Sequence, residues 1–310
     1  MILTVTLNTS IDKAYRISST LERGTVMRVA ECIDNAGGKG LNASRSVATC
    51  GEDVLATGFV GGNNGRLLCE LLDRDGISHN FVEVATETRC CVNVLEPDGL
   101  STEFLEPGRE VTAEELVTLE KRLSSLVSRA DVVTMSGSFP KGLPEDTYVR
   151  LTKLVQSLGK PCILDTSGET LKRSIEALPS MVKPNTDEIG QILGRKVSSV
   201  DEVIDAAREL HERGIEQVVV SLGGDGAVMA CSKGTFRGIA PKIEVVNPVG
   251  AGDTMVGAFA VAMARGMEPA EQLRYAMACA SANCMSASTG HFDMEVARGL
   301  MDGTRVERVA

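Results

Sequence analysis

Asp253 follows Gly250, Ala251 and Gly252 in the run NPVGAGDTMVGAF (247–259), directly ahead of an apolar stretch. A carboxylate can act as a base. Unpaired amides at the start of a helix, reinforced by its dipole, attract an anion. Together they could form a phosphate cradle with a base inside it. The competing reading is a tight turn in which Asp253 only caps a buried helix. A second glycine cluster, NAGGKGLNASRSVATCG (35–51), places Gly37, Gly38 and Gly40 around Lys39 ahead of an amphipathic helix. Lys39 is either an anion ligand or a solvated lysine at a turn. Arg89 after Thr88, and Ser138 in SGSFPKG (136–142), add candidate polar contacts. In KPNTDEIGQIL (183–193), Asn185 and Glu188 share one face at a helix start. They could hold a hydrated Mg²⁺, or form a helix cap. SLGGDGAVM (221–229) reads as a strand, a glycine loop and a strand. It is a nucleotide floor or a plain hairpin.

These residues need a scaffold, and the chain alternates strand-like with helix-like segments. Short apolar runs lie at 1–7, 54–60, 131–137, 161–167, 181–185 and 216–223. Between them come helical patterns. One starts at Thr112 with a capping box to Glu115. One has Pro144 at its first position and Gly159 after its last. One closes at Gly214, and the helix after Asp253 closes at Gly266. Strand–helix–strand repetition implies a doubly wound, mostly parallel α/β sheet with helices on both faces. Residues 8–36 and 88–106 break the rhythm, and Pro97-Asp98-Gly99 marks a hairpin turn between two strand-like runs. They suit a small second sheet, either a lid within a single domain spanning 1–310 or a surface hairpin. Its open edges could pair with a second copy.

Composition narrows the partners. The net charge is −10, aromatics make up 3% of the chain and Trp is absent. There is no basic footprint for duplex nucleic acid and little to stack on single strands. An anionic substrate would depend on local cations and amides. Nine cysteines occur without a Cys-x-x-Cys pair, and the three histidines lie far apart. This suits mostly buried free thiols in a reducing compartment better than zinc. No apolar run approaches the ~20 residues of a membrane helix, and the first residues do not read as a signal peptide. A cytoplasmic protein without a membrane partner is expected. Gly-x-Gly-x-x-Gly fails because Met255 holds the third glycine position, which counts against a dehydrogenase. The Walker pattern does not occur in the chain. A non-catalytic sugar-phosphate or nucleotide binder is the other alternative.

In order along the chain, AGGKG-x-N (36–42), Thr88-Arg89, SGS-x-P-x-G (136–142), KPN-x-x-E (183–188), SLG-x-x-GA (221–227) and VGAGD (249–253) resemble the motifs of the ribokinase-like, PfkB-type sugar kinases. The resemblance implies a ribokinase-like fold with a small β lid, and ATP and Mg²⁺ as cofactors. It gives Asp253 the role of general base, with Gly250, Ala251, Gly252 and Asp253 supplying the anion hole. Asp12, Gly38, Lys39, Asn42, Arg89 and Ser138 match sugar or sugar-phosphate contacts. Lys183, Asn185, Ser221, Gly223, Gly226 and Asn283 match the nucleotide side, and Asn185 and Glu188 the metal. The helix dipole should keep Asp253 ionised and weakly basic.

A simple sugar needs no cation at its far end, whereas a phosphorylated ketose does. Lys39 with Arg89 therefore favours a ketohexose monophosphate. Within the family the run TRCCVNV…TEFLEPG looks nearest to tagatose-6-phosphate kinases, with 1-phosphofructokinases next. Thr9 and Arg109 stand where the family usually has proline.

Overall fold

The computed structural model describes residues 1–310. The strands, in chain order, are Ile2–Thr6 (β1), Ser10–Arg16 (β2), Glu31–Gly37 (β3), Val54–Val60 (β4), Ser78–His79 (β5), Val82–Glu83 (β6), Arg89–Leu95 (β7) and Ser101–Leu105 (β8). Then come Val132–Ser136 (β9), Cys162–Asp165 (β10), Met181–Val182 (β11), Gln217–Ser221 (β12), Ala227–Cys231 (β13), Gly234–Ile239 (β14) and Arg305–Arg308 (β15). The helices are Lys39–Thr49 (α1), Gly62–Arg74 (α2), Ala113–Val127 (α3), Thr147–Ser157 (α4), Gly168–Ser174 (α5), Thr186–Leu193 (α6), Val200–Glu212 (α7), Ala251–Ala264 (α8), Pro269–Cys284 (α9) and Met294–Gly303 (α10).

The large sheet has eleven strands in the order β15-β14-β13-β12-β11-β10-β9-β1-β4-β5, with β6 also on β4. Its pairs are parallel from β5 to β12 and antiparallel from β12 to β15. Side chains alternate between its faces. Val218 and Val220 of β12 join one apolar cluster with α3, α4, α6 and α7, while Val219 joins the other with α1, α2, α8 and α9. This two-faced burial is why the central strands read as unbroken apolar runs. From β1 the chain winds outward to β4 and β5, then reverses through β9 to β12. The β1/β9 boundary is therefore the switch point, where the strands' carboxyl ends open a crevice.

The expected caps form. Thr112 makes its capping box with Glu115, and Gly159, Gly214 and Gly266 follow helix ends with φ of 71°, 111° and 66°; Ser199, not singled out in the sequence, makes a further box with Glu202. One expectation shifts. Pro144 does not open α4; a turn in which the Thr147 N–H bonds Pro144 O at 3.0 Å comes first, and Asp146 is the N-cap.

The small sheet is β3-β2-β7-β8, with β2/β7 parallel and the outer pairs antiparallel. Gly99, at φ 87°, turns the β7–β8 hairpin. The register puts Asp12, Asn35, Cys91 and Leu105 on one face, together with Ile33 and Ala14. Ile11 and Ala36 face the other way, into the core beside α2. All nine cysteines are free; most are buried, but Cys32 on β3 is exposed. No helix is long and apolar enough to cross a membrane.

Candidate active site

The site is built at the carboxyl ends of the central strands. Ser136, Asp165, Lys183 and Ser221 end or immediately follow β9, β10, β11 and β12. The α8 tip and the start of α1 face them from the other side. Helix α8 is buried along most of its length, which explains its all-round apolar sequence. It is pressed against α1: a Cβ on Gly257 would come 2.7 Å from Ala43 O and 2.9 Å from Ser46 Cβ. That close approach brings Asp253 to Asn42.

Gly250 is the α8 N-cap at φ 79°, a conformation that disfavours other residues. Ala251, Gly252 and Asp253 form the first turn. The Ala251 N–H makes a long bond to Pro248 O at 3.3 Å, and the amides of Gly252 and Asp253 have no acceptor within the protein. Asp253 is not the N-cap, so the capping alternative fails. Asn42 Nδ2 donates to Asp253 Oδ2 at 2.8 Å. Around this carboxylate stand Asp165, Lys39 and Lys183. Asp165 is 2% exposed, with Lys183 Nζ 3.4 Å from Oδ1 and Lys39 Nζ 3.7 Å from Oδ2. The Lys183 ammonium also lies 3.3 Å from where a Gly252 Cβ would be, beside the first turn of α8.

Burial raises the Asp253 pKa to about 6, and the negative charge of Asp165 adds to the rise. Lys39, the Asn42 hydrogen bond and Lys183 oppose it. This corrects the expectation of a weak base held ionised by the helix dipole: desolvation outweighs the dipole, and the carboxylate is a better proton acceptor than an ordinary aspartate.

On the small-sheet side, Asp12 accepts from Ser10 Oγ at 2.6 Å. Burial raises its pKa against the pull of Ser10, Arg89 and Arg45. Gly38 is the α1 N-cap. Arg89 Nε and Nη2 reach Asn8 O at 3.4 and 3.2 Å, and Nη1 donates to Glu106 O at 2.9 Å. Asn8 Nδ2 donates to Ser138 Oγ at 3.0 Å, so Asn8 links two candidate contacts that the sequence left separate. Lys39 is drawn inward by Asp165, and Asp165 and Asp253 both raise its pKa. It therefore stands near Asp253, and Arg89 is the cation nearer the small sheet.

On the other flank Asn185 caps α6. Asn185 Oδ1 accepts the Glu188 N–H at 2.9 Å, and Glu188 Oε2 accepts the Asn185 N–H at 2.9 Å. The cap and a metal role do not compete. Glu188 Oε1 has no protein hydrogen bond, and Asn185 Oδ1 keeps a lone pair. A Mg²⁺ that keeps its waters and binds phosphate needs only one or two protein oxygens, so these residues fit it. Asn185 bridges Ser221, and a cavity of ≈ 340 Å³ is lined by both with Ser199, Val200, Gly223 and Asp225. Gly223 and Gly226 turn the chain there at φ 58° and 97°. Asn283 is fully buried: its Nδ2 donates to Val249 O at 3.0 Å and its Oδ1 accepts the Gly290 N–H at 2.8 Å. Its side chain thus anchors the loop that carries the α8 tip.

Reading the sequence missed Asp165 and Asn8. Asp165 carried one usable signal, an acid ending an apolar strand where open α/β sheets hold ligands. Asn8 carried none, because its contacts join distant segments.

A buried carboxylate beside free helix-tip amides, with two ammoniums held nearby by Asp165, suits phosphoryl transfer rather than hydride transfer. Known proteins point the same way: the pfkB family carbohydrate kinase profile matches residues 5–296, and the chain belongs to that family. It is a carbohydrate kinase, for which ATP is the phosphoryl donor and a divalent metal the usual companion. Phosphofructokinase-2 from Escherichia coli, solved with fructose-6-phosphate, is similar at 29% identity and TM-score 0.91, over 97% of this chain and 98% of that one. A protein from Thermotoga maritima described as a possible 1-phosphofructokinase is 28% identical, with TM-score 0.91 over 100% of both chains. Arabidopsis thaliana ribokinase, complexed with ribose and ATP, shares the fold at 24% identity and TM-score 0.78, over 97% of this chain and 98% of that one.

Proposed function

We propose that the protein phosphorylates a free hydroxyl of a ketohexose monophosphate, with ATP as donor and Mg²⁺ as metal. The observation that carries the reaction type is Asp253, hydrogen-bonded to Asn42 beside the unpaired amides of Gly252 and Asp253. The small sheet acts as the lid, presenting Asp12 to the sugar hydroxyls. Arg89 takes the sugar's existing phosphate, with Ser138 and the Gly38 backbone beside it. Ser221, Gly223 and Gly226 line the nucleotide side, and Asn283 serves it by fixing the loop. Glu188, steadied by Asn185, would hold the metal, whose charge would offset that of the phosphates.

The acceptor oxygen approaches the γ-phosphorus as the bond from that phosphorus to the β–γ bridging oxygen breaks. The acceptor proton passes late to Asp253, the new O–P bond forms, and ADP departs. The helix-tip amides, Lys39 and Lys183 receive the migrating charge, and Asp165 holds both ammoniums in place.

Tagatose 6-phosphate, giving the 1,6-bisphosphate, is the favoured substrate from the motif run at 88–108. Fructose 1-phosphate is the second reading, supported by the full-length likeness to the Thermotoga protein. We also infer that the lid pairs two copies through its exposed apolar side chains, and that the protein works in the cytoplasm. A coupled ADP-release assay across tagatose 6-phosphate, fructose 1-phosphate, fructose 6-phosphate, ribose and adenosine tests the substrate class. Turnover confined to phosphoketoses is expected. Turnover with ribose or adenosine, and with no phosphoketose, would defeat it.

A further inference from the structure

Arg45 is a charged side chain with no place among the substrate contacts, yet it is only 4% exposed. It lies one turn along α1 from Asn42, on the same face. Its guanidinium is used in three directions. Nε donates to Asp75 Oδ2 at 2.9 Å, Nη1 donates to Asn42 Oδ1 at 3.1 Å, and Nη2 donates to Ala36 O. Asp75 is the C-cap of α2, and Ala36 lies in the lid strand that runs into the glycine cluster. The buried cation thus joins α1, α2 and the lid root, and its middle branch continues to the base through Asn42 Nδ2 and Asp253 Oδ2.

The chemistry of this chain fixes the asparagine. Guanidinium can only donate and carboxylate can only accept. Asn42 must therefore turn its oxygen to Arg45 and its NH₂ to Asp253. Reversed, it would set an oxygen against the carboxylate and an NH₂ against the cation. We propose that Arg45 is a positioning residue for phosphoryl transfer: its fork, braced by Asp75, locks the Asn42 amide in the orientation that donates to Asp253. This rests on the role given to Asp253 above. Arg45 is not a catalytic residue, because it touches neither substrate nor the reacting atoms.

The consequence is electrostatic. The groups facing Asp253 are Asp165, Lys39, Lys183 and Asn42, and only Asn42 depends on Arg45. Those facing Arg45 are Asp75, Asp12 and His291. Without the lock, Asp253 loses a donor that favours its ionised form, and its titration moves upward.

Lysine is the discriminating substitution. Arg45→Lys keeps a cation beside Asp75, but its single nitrogen cannot span Asp75, Asn42 and Ala36 O. Arg45→Met strands the Asp75 charge and risks the fold, so Arg45→Lys is the deciding variant. The first measurement is ¹³C NMR titration of carboxyl-labelled aspartate in the ligand-free full chain, with the Asp253 signal identified by its loss in Asp253→Asn. The second is the pH profile of kcat/KM. The wild-type midpoint is expected at about 6. In Arg45→Lys we expect it to rise by about one unit, the acid limb of kcat/KM to move with it, and kcat to fall ~10-fold or more with the KM for ATP little changed. An unmoved midpoint and acid limb would overturn the proposal, even with lower activity, because a structural defect alone lowers amplitude without moving a titration. If the wild type turns over no phosphosugar, the function proposal falls, while the NMR midpoint still decides the role of Arg45.

Discussion

Asp253 is held between opposing influences, and their balance sets its chemistry. Burial and Asp165 push its pKa to about 6, against Lys39, Asn42 and Lys183. In the proposed role Asp253 acts as its carboxylate, so kcat/KM should climb as pH rises through about 6 and fall away below it. An ordinary aspartate would place that limb near ~4. A rate–pH profile on the favoured sugar phosphate checks this, and a flat profile well below pH 6 would contradict it. Asp253 could be singled out from its glycine flanks, but the direction of its shift could not. That depends on Asp165 and on the depth of α8, which a single segment does not contain. Arg45 stayed hidden for the same reason: its partners come from β3, α1 and α2.

Among the elements, α8 and the small sheet do most to make the site. The α8 tip is aimed by close packing on α1 at Gly257, so the two glycine-bearing helix starts converge. The small sheet contributes Asp12 and Arg89 from adjacent strands and leaves a partly apolar face beside them. Ile33 is 38% exposed and Leu105 is 65% exposed, both on the Asp12 face by register. Such a face on a sheet with open edges suits a second copy. Light scattering should give a dimer mass for the wild type and a monomer mass for the Ile33→Asp/Leu105→Asp variant. A monomeric wild type would refute pairing through this sheet. The segments of the small sheet were readable from their broken rhythm and the Pro97-Asp98-Gly99 turn. Its order, with β2 parallel to β7, was not, since that pairing links residues far apart in sequence.

Across the whole molecule, the alternation of strand and helix made the doubly wound sheet legible, because each apolar run had to be covered on both faces. The antiparallel edge of β13, β14 and β15 was less so, as β15 returns from the far end of the chain. Fold and function meet at the switch point, where the helix-tip amides, Asp253 and the paired lysines face one crevice. The claim underneath is that Asp253 accepts the acceptor's proton there, and the most direct measurement is the turnover of Asp253→Asn beside its nucleotide affinity. With Asp253 as the base, kcat with the favoured sugar phosphate should drop by ~10²–10⁴, while ATP binds about as in the wild type. Turnover that survives the substitution, or ATP binding lost along with it, would rule out that role and leave Asp253 a structural residue.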